Sequence, residues 1–339
     1  MRDSPTLLGV VTAALVLIAS CSDGGVEPTG SASTTSPASV AGAPPVEASS
    51  SSSPAPVETN GPSSSDETIV AATTTTTVAP AVTAASIASE IAVAERGIRD
   101  TALPAESVAE FGRRQQRAYQ LLARSAGLQE AVTAAIPADV AVAFAYNVAA
   151  RQAVVDHAAG RPPSEQSPTL PAWTILEPLP IDELLAAYND AEAATGVPWE
   201  YLAAINLVET RMGRIRGDSS AGAQGPMQFL PTTWAACCTG DINDPHDAIL
   251  GAAVYLVSEG APSDMQAALY GYNPNDGYVG SVIAYAANLM ADPLAYRGYH
   301  AWEVYVGSTA GTVRLDVGYT ATAPIDAVEY ARTHLDATG

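Results

Sequence analysis

Glu209 lies near the end of PWEYLAAINLVETRMGR, a segment that Pro198 opens as a helix. At 100° per residue, Tyr201, Ile205, Val208 and Met212 share one face, and Leu202 and Glu209 fall beside Ile205 on the same arc. Ala203, Ala204 and Leu207 cover most of the other face, so the helix is apolar nearly all round and belongs in a core. A carboxyl placed there is desolvated, which raises its pKa and keeps it protonated near neutral pH. That is the state required of a general acid that cleaves a glycosidic bond. The plainer alternative is a Glu near a helix C-terminus, paired in solvent with Arg211 or Arg214.

Two further segments favour chemistry. Residues 219–231 read SSAGAQGPMQFLP, and residues 268–273 read ALYGYN. With Glu209-Thr210 they resemble the three signatures of the soluble lytic transglycosylase (SLT) family: a Glu followed by a small hydroxyl residue, a Gly-Ala-x-Gly-x-Met-Gln segment, and an Ala-Tyr-Asn segment. The form GPMQFLPTTW, with Phe229 and Trp234, is also similar to the membrane-bound transglycosylase B group. The resemblance spans residues 181–300 and implies a mainly α, lysozyme-like α+β catalytic domain acting on peptidoglycan glycan strands.

The chemistry implied by that resemblance uses one carboxyl and no cofactor. Glu209 protonates the MurNAc-GlcNAc glycosidic oxygen, the substrate's N-acetyl carbonyl attacks the anomeric carbon, and the ionised Glu209 then takes the C6 hydroxyl proton. The product is a 1,6-anhydroMurNAc end. The substrate-binding residues so implied are Ser219, Met227, Gln228, Tyr272 and Asn273; Gln228, Tyr272 and Asn273 orient the sugar, and Met227 packs near the catalytic helix. Three positions depart from the pattern: Thr210 replaces Ser, Gly271 replaces Ala, and Pro274-Asn275 replaces Ala-Gly. Read without the family, Met227 and Phe229 are core residues and Tyr272-Asn273-Pro274-Asn275 is a surface turn. A goose-type hydrolytic muramidase and an inactive glycan-binding scaffold are the alternative functions.

Other clusters carry less. Asp241-Ile242-Asn243-Asp244-Pro245-His246-Asp247 begins like a calcium loop but lacks the glycine of the sharp turn. Asp244 as N-cap, Pro245 at the first helical position and Asp247 in the first turn account for it better, with Asp241 or Asp244 as a second cleft carboxylate the alternative. Cys237 and Cys238 are adjacent and read equally as a bridge or as two buried thiols. With the four His scattered, no metal site is expected.

These motifs occupy only part of the chain. Arg2 and the apolar run Leu7 to Ala19 read as a signal peptide over residues 1–20, and Ile18-Ala19-Ser20-Cys21 resembles a bacterial lipobox. Cys21 is then the lipidated first residue, holding the protein to the outer face of the cytoplasmic membrane; an ordinary secretory signal with an incidental Cys is the alternative. Residues 21–85, rich in Ser, Thr, Pro, Ala and Gly, read as a disordered tether. Residues 86–160 have helical apolar spacing, with Phe111, Ala118, Tyr119 and Leu122 on one stripe and Gly127 and Gly160 as stops. A proline-rich connector follows over residues 161–180, then the catalytic domain.

Residues 301–339 read as a β-hairpin, turning at Gly307 to Gly311, and a last helix. With 36 acidic residues against 15 basic ones, all arginine, the net charge is −21, which excludes nucleic-acid binding through a cationic patch.

Overall fold

The computed structural model describes residues 82–159 and 167–334, which all fall in one compact unit. The signal segment, Cys21, nearly all of the tether, Gly160, residues 161–166 of the connector and residues 335–339 lie outside the described residues. Helix α1 (Ala84–Arg99) starts at a capping box in which Thr83 and Ser86 satisfy each other's backbone N–H groups. Then come α2 (Ala105–Arg124), α3 (Gln129–Ala135) and α4 (Ala141–Ala159), with 3-10 turns before α3 and α4.

The connector carries two short strands, β1 (Thr169–Leu170) and β2 (Thr174–Ile175). Next are α5 (Ile181–Thr195), α6 (Trp199–Thr210), β3 (Ile215–Arg216), α7 (Pro231–Cys237), α8 (Pro245–Ser258), α9 (Met265–Tyr272), α10 (Asp276–Ala291) and α11 (Ala295–His300). The chain closes with β4 (Val304–Ser308), β5 (Gly311–Leu315), β6 (Ile325–Asp326) and α12 (Ala327–Thr333). Among the described residues the fold is thus mainly helical, with three two-stranded antiparallel sheets: β1 with β6, β2 with β3, and β4 with β5.

Local signals explain most boundaries. Gly196 ends α5 in the left-handed conformation, at φ 79°. Asp244 caps α8, accepting from the backbone N–H groups of His246 and Asp247, and Pro245 begins it. The hairpin turns at Thr309-Ala310, followed by Gly311 at φ 89°.

Helix α6 is the axis of the largest core, with every residue from Leu202 to Thr210 buried. It stops earlier than its apolar pattern suggests. Arg211 (φ 55°), Met212 (φ 61°) and Gly213 (φ 81°) follow it in the left-handed region. The cause is tertiary: Asn206 Nδ2 and the Thr210 hydroxyl both donate to the Pro226 carbonyl, at 2.8 and 2.6 Å, tying the helix end to a loop.

The N-terminal helices join this core through buried polar groups. Glu95, wholly buried in α1, forms an ion pair with Arg99 and accepts from Gln115 Nε2 (3.0 Å) and the Tyr119 hydroxyl (2.8 Å). Asn147 of α4 accepts from the Tyr299 hydroxyl (2.8 Å), which in turn accepts from Asn288 Nδ2 of α10 (2.7 Å). Gln115 accepts from the Trp302 indole (2.9 Å), and Arg99 also pairs with Asp292 (2.6 Å). Helices α4 and α10 pack so closely that a Cβ on Gly280 would lie 2.8 Å from that of Ala153. Leu170, Ile175, Ile215, Val304, Val313 and Leu315 form a second core beneath the three sheets.

Candidate active site

Glu209 sits on the penultimate residue of α6 and is 1% exposed. Neither of its carboxyl oxygens has a hydrogen-bond partner among the described residues. Burial pushes its pKa up to about 8, and the neighbouring Tyr278 hydroxyl offsets part of that rise. That hydroxyl is placed to favour the ionised carboxyl by donating to it, yet in this structure it is buried and makes no hydrogen bond of good geometry among the described residues. Among the described residues no charged side chain contributes to the shift. The carboxyl is therefore neutral at pH 7 because it is dry, not because a second carboxylate crowds it.

Two phenols flank it. Burial and the nearby Glu209 carboxyl raise the pKa of both Tyr272 and Tyr278 well above the ordinary tyrosine value. Their rings are parallel to within 1°, with centroids 6.4 Å apart. They differ in commitment: the Tyr272 hydroxyl donates to the Met227 carbonyl at 2.6 Å, whereas that of Tyr278 is uncommitted. Phe229 meets Tyr272 edge-on at 5.6 Å and Trp234 at 5.2 Å, closing the apolar side of the site.

The loop between α6 and α7 is shaped by its own polar groups. Ser219 Oγ accepts from the N–H groups of Ala223 (3.0 Å) and Ala221 (3.3 Å). Gln224 and Phe229 exchange both backbone hydrogen bonds, at 2.8 and 2.9 Å, closing a tight turn over Gly225 to Gln228. Gly225 is required there: it has φ 74°, and a Cβ would fall 1.9 Å from the Ile242 carbonyl oxygen. Gln228 has φ 52°, and its side-chain Nε2 donates to the Gly225 carbonyl at 2.9 Å.

The structure thus gathers Glu209, Met227 and Tyr272 around one buried point. Asn273 caps the C-terminus of α9; it is 2% exposed, and its Nδ2 has no partner among the described residues. Ser219 and Gln228 use side-chain atoms to build the loop. Thr210 does likewise, since its hydroxyl donates to Pro226 and accepts from Gly213 N–H at 3.1 Å. Tyr278 was not singled out from the sequence. Asn275 accepts from the Tyr278 N–H at 3.0 Å, so this cap fixes where α10 starts and which way Tyr278 faces.

No protein-family model, curated protein or solved structure matches the chain.

The chemistry of the site therefore rests on its own geometry. Asp241 and Asp244 are occupied locally, Asp241 accepting from Asn243 N–H (2.8 Å) and Asp244 capping α8. Cys237 and Cys238 are joined as a disulfide between neighbours. Among the described residues no three of His, Cys, Asp and Glu gather as a metal site, and no single helix is long and apolar enough to cross a membrane.

Proposed function

We propose that this chain is a lytic transglycosylase with a lysozyme-like catalytic domain of the SLT kind, cleaving the MurNAc-GlcNAc bond of peptidoglycan. The observation that carries the reading is Glu209: a carboxyl 1% exposed, protonated up to about pH 8, with no charged neighbour among the described residues contributing to its shift. Inverting enzymes need a second carboxylate to activate water, and retaining ones need a nucleophile. A single acid suits a reaction in which the substrate supplies both nucleophiles, its acetamido carbonyl and then its C6 hydroxyl. In that sequence Glu209 first gives its proton to the leaving oxygen and then recovers one from the C6 hydroxyl, so the enzyme ends as it began.

Glu209 is closed off in this structure, so a glycosidic oxygen reaches it only after neighbouring side chains shift. Tyr278 is the group placed to hold the carboxyl once it ionises, because its hydroxyl is free to donate. Asn273 Nδ2 is a second uncommitted donor, suited to an acetamido carbonyl. The lipobox-like Ile18-Ala19-Ser20-Cys21 and the acidic tether support an anchored, extracytoplasmic enzyme that reaches the wall from the membrane.

Digestion of purified peptidoglycan tests the reading. Wild type should yield glycan ends one water lighter than hydrolysis products and inert to borohydride, and Glu209→Gln should lose turnover by orders of magnitude while staying folded. Reducible ends would instead establish a hydrolytic muramidase. Unchanged peptidoglycan with retained binding would establish a scaffold. For the anchor, Cys21→Ser should abolish a lipid mass on the N-terminal peptide, and its absence from wild type would refute the lipoprotein reading.

A further inference from the structure

Gly271 stands where the resembled Ala-Tyr-Asn segment has alanine, and the structure supplies a reason for the exchange. A Cβ at this position would strike the carboxylate of Glu259, meeting its Oε2 and lying 2.9 Å from its Cγ. Glu259 caps the C-terminus of α8, and Gly271 is the penultimate residue of α9. A carboxylate at the negative end of a helix opposes the helix dipole, so Glu259 is poorly placed to stabilise α8. What the position provides is contact with Tyr255, one turn earlier on the same helix.

The Tyr255 hydroxyl donates to the Gly271 carbonyl at 3.4 Å, too long a bond to hold it firmly. Burial, then the adjacent Glu259 carboxylate, push the pKa of that hydroxyl up to about 12. From there the contacts lead inward. The Tyr255 ring meets Tyr272 edge-on at 5.8 Å and Phe229 at 6.1 Å. Tyr272 is buried and has both groups for neighbours, since burial, then Glu209, then Tyr255 raise its pKa. Tyr255, Glu259 and Gly271 are half-buried, so they form the outer end of the aromatic cluster beside Glu209.

We propose that Glu259 is a positioning residue of the acid site: it fixes Tyr255, and Tyr255 with Phe229 holds Tyr272 against Glu209. Gly271 makes this possible by leaving room for the carboxylate beside α9. The inference rests on the glycosidase reading for the use made of Glu209, but not for the contacts that keep Glu209 dry. Without the brace, Tyr255 and then Tyr272 shift, water reaches the Glu209 carboxyl, and its ionised form is favoured. Among the described residues the Glu259 charge does not contribute to the shift of Glu209, so the effect is one of position.

Carbon-13 NMR titration of the full chain, labelled at the glutamate side-chain carboxyls, tests this without substrate. The Glu209 signal is the one missing from Glu209→Gln. In wild type it should titrate at about 8, and in Glu259→Ala about one pH unit lower. Two variants that keep the Glu259 charge separate position from charge. Tyr255→Phe deletes only the hydroxyl, and Gly271→Ala pushes the flexible end of Glu259 aside; each should lower the titration in the same direction. With Glu259→Ala already present, Gly271→Ala should add nothing.

If Glu259→Ala lowers the melting temperature while Glu209 titrates as in wild type, Glu259 only packs α8 against α9 and the proposal is overturned. A shift in Glu259→Ala that neither Tyr255→Phe nor Gly271→Ala reproduces overturns it equally, because the effect is then one of charge. Turnover on peptidoglycan keeps the two readings apart: the alkaline limb of activity should fall in step with the titration. If the titration shifts as expected but no form of the chain cleaves peptidoglycan, the glycosidase reading fails and the positioning role of Glu259 stands.

Discussion

Glu209→Gln isolates what it costs the fold to hold a carboxyl where this one sits. In an unfolded chain the group titrates at 4.5, and in the fold at about 8. Between those values the folded protein keeps a proton that the unfolded chain has released, so stability falls as pH rises, by about 1.4 kcal/mol per pH unit. The contribution is fully present below pH 4.5 and is lost as pH rises toward 8. Over that gap of about 3.5 pH units the loss amounts to about 5 kcal/mol.

Gln has similar shape and hydrogen-bonding capacity but no proton to lose. Urea unfolding of both proteins at pH 5 and pH 8 gives a double difference in which every other titrating group cancels. The variant should gain about 4 kcal/mol on wild type between the two conditions, a large fraction of a typical domain's stability. Activity should be absent from the variant at both. Parallel stability profiles would mean that the carboxyl is solvated in solution, and the account of a dry general acid would fall with it.

Tyr278→Phe removes the hydroxyl that favours the ionised carboxyl, so the alkaline limb of the activity profile should move to higher pH; an unmoved limb would show that Tyr278 does not act on Glu209. Thr210→Val deletes the 2.6 Å bond to the Pro226 carbonyl and should destabilise the protein by about 1–3 kcal/mol in denaturant titration, with turnover lowered because α6 and the loop come apart. Gly280→Val places a branched side chain against Ala153 and should cost about 1–3 kcal/mol, partly recovered by Ala153→Gly in the same chain. No recovery would place the strain elsewhere.

What the sequence made legible was local. Gly196 as a stop, Asp244-Pro245 as a start and the hairpin around Gly311 each follow from one or two residues acting on their neighbours. The run from Leu202 to Thr210 marked a central helix because no face of it is polar enough for water. Features set by distant partners were not legible. Strands β1 and β2 form inside a proline-rich connector because Ile325-Asp326 and Ile215-Arg216 pair with them from far along the chain. The end of α6 is fixed by Pro226, and the side chain of Gln228 turns back to Gly225 because the loop needs a donor there. Tyr278 gave no signal of its own, since its role depends on where Asn275 starts α10 and where α10 lies against α6.

Because the acid and its phenol stand on different helices, the site belongs to the whole fold. Glu209 is held by α6, whose end Thr210 and Asn206 tie to Pro226. Tyr278 is held by α10, which Asn288, Tyr299 and Asn147 tie to α4, while Arg99 links Asp292 at its C-terminal end to the buried Glu95. With no ion pair among the described residues to set it, the proton affinity of Glu209 is governed mainly by how completely its neighbours exclude water, the Tyr278 hydroxyl offsetting part of the rise. Any loosening of α10 that admits water lowers that affinity toward the ordinary carboxylate range, and the group then loses its acidic proton at a lower pH. Among the described residues the helices before residue 160 make no direct contribution to the shift, yet by bracing α10 they help decide the pH range over which Glu209 keeps its proton.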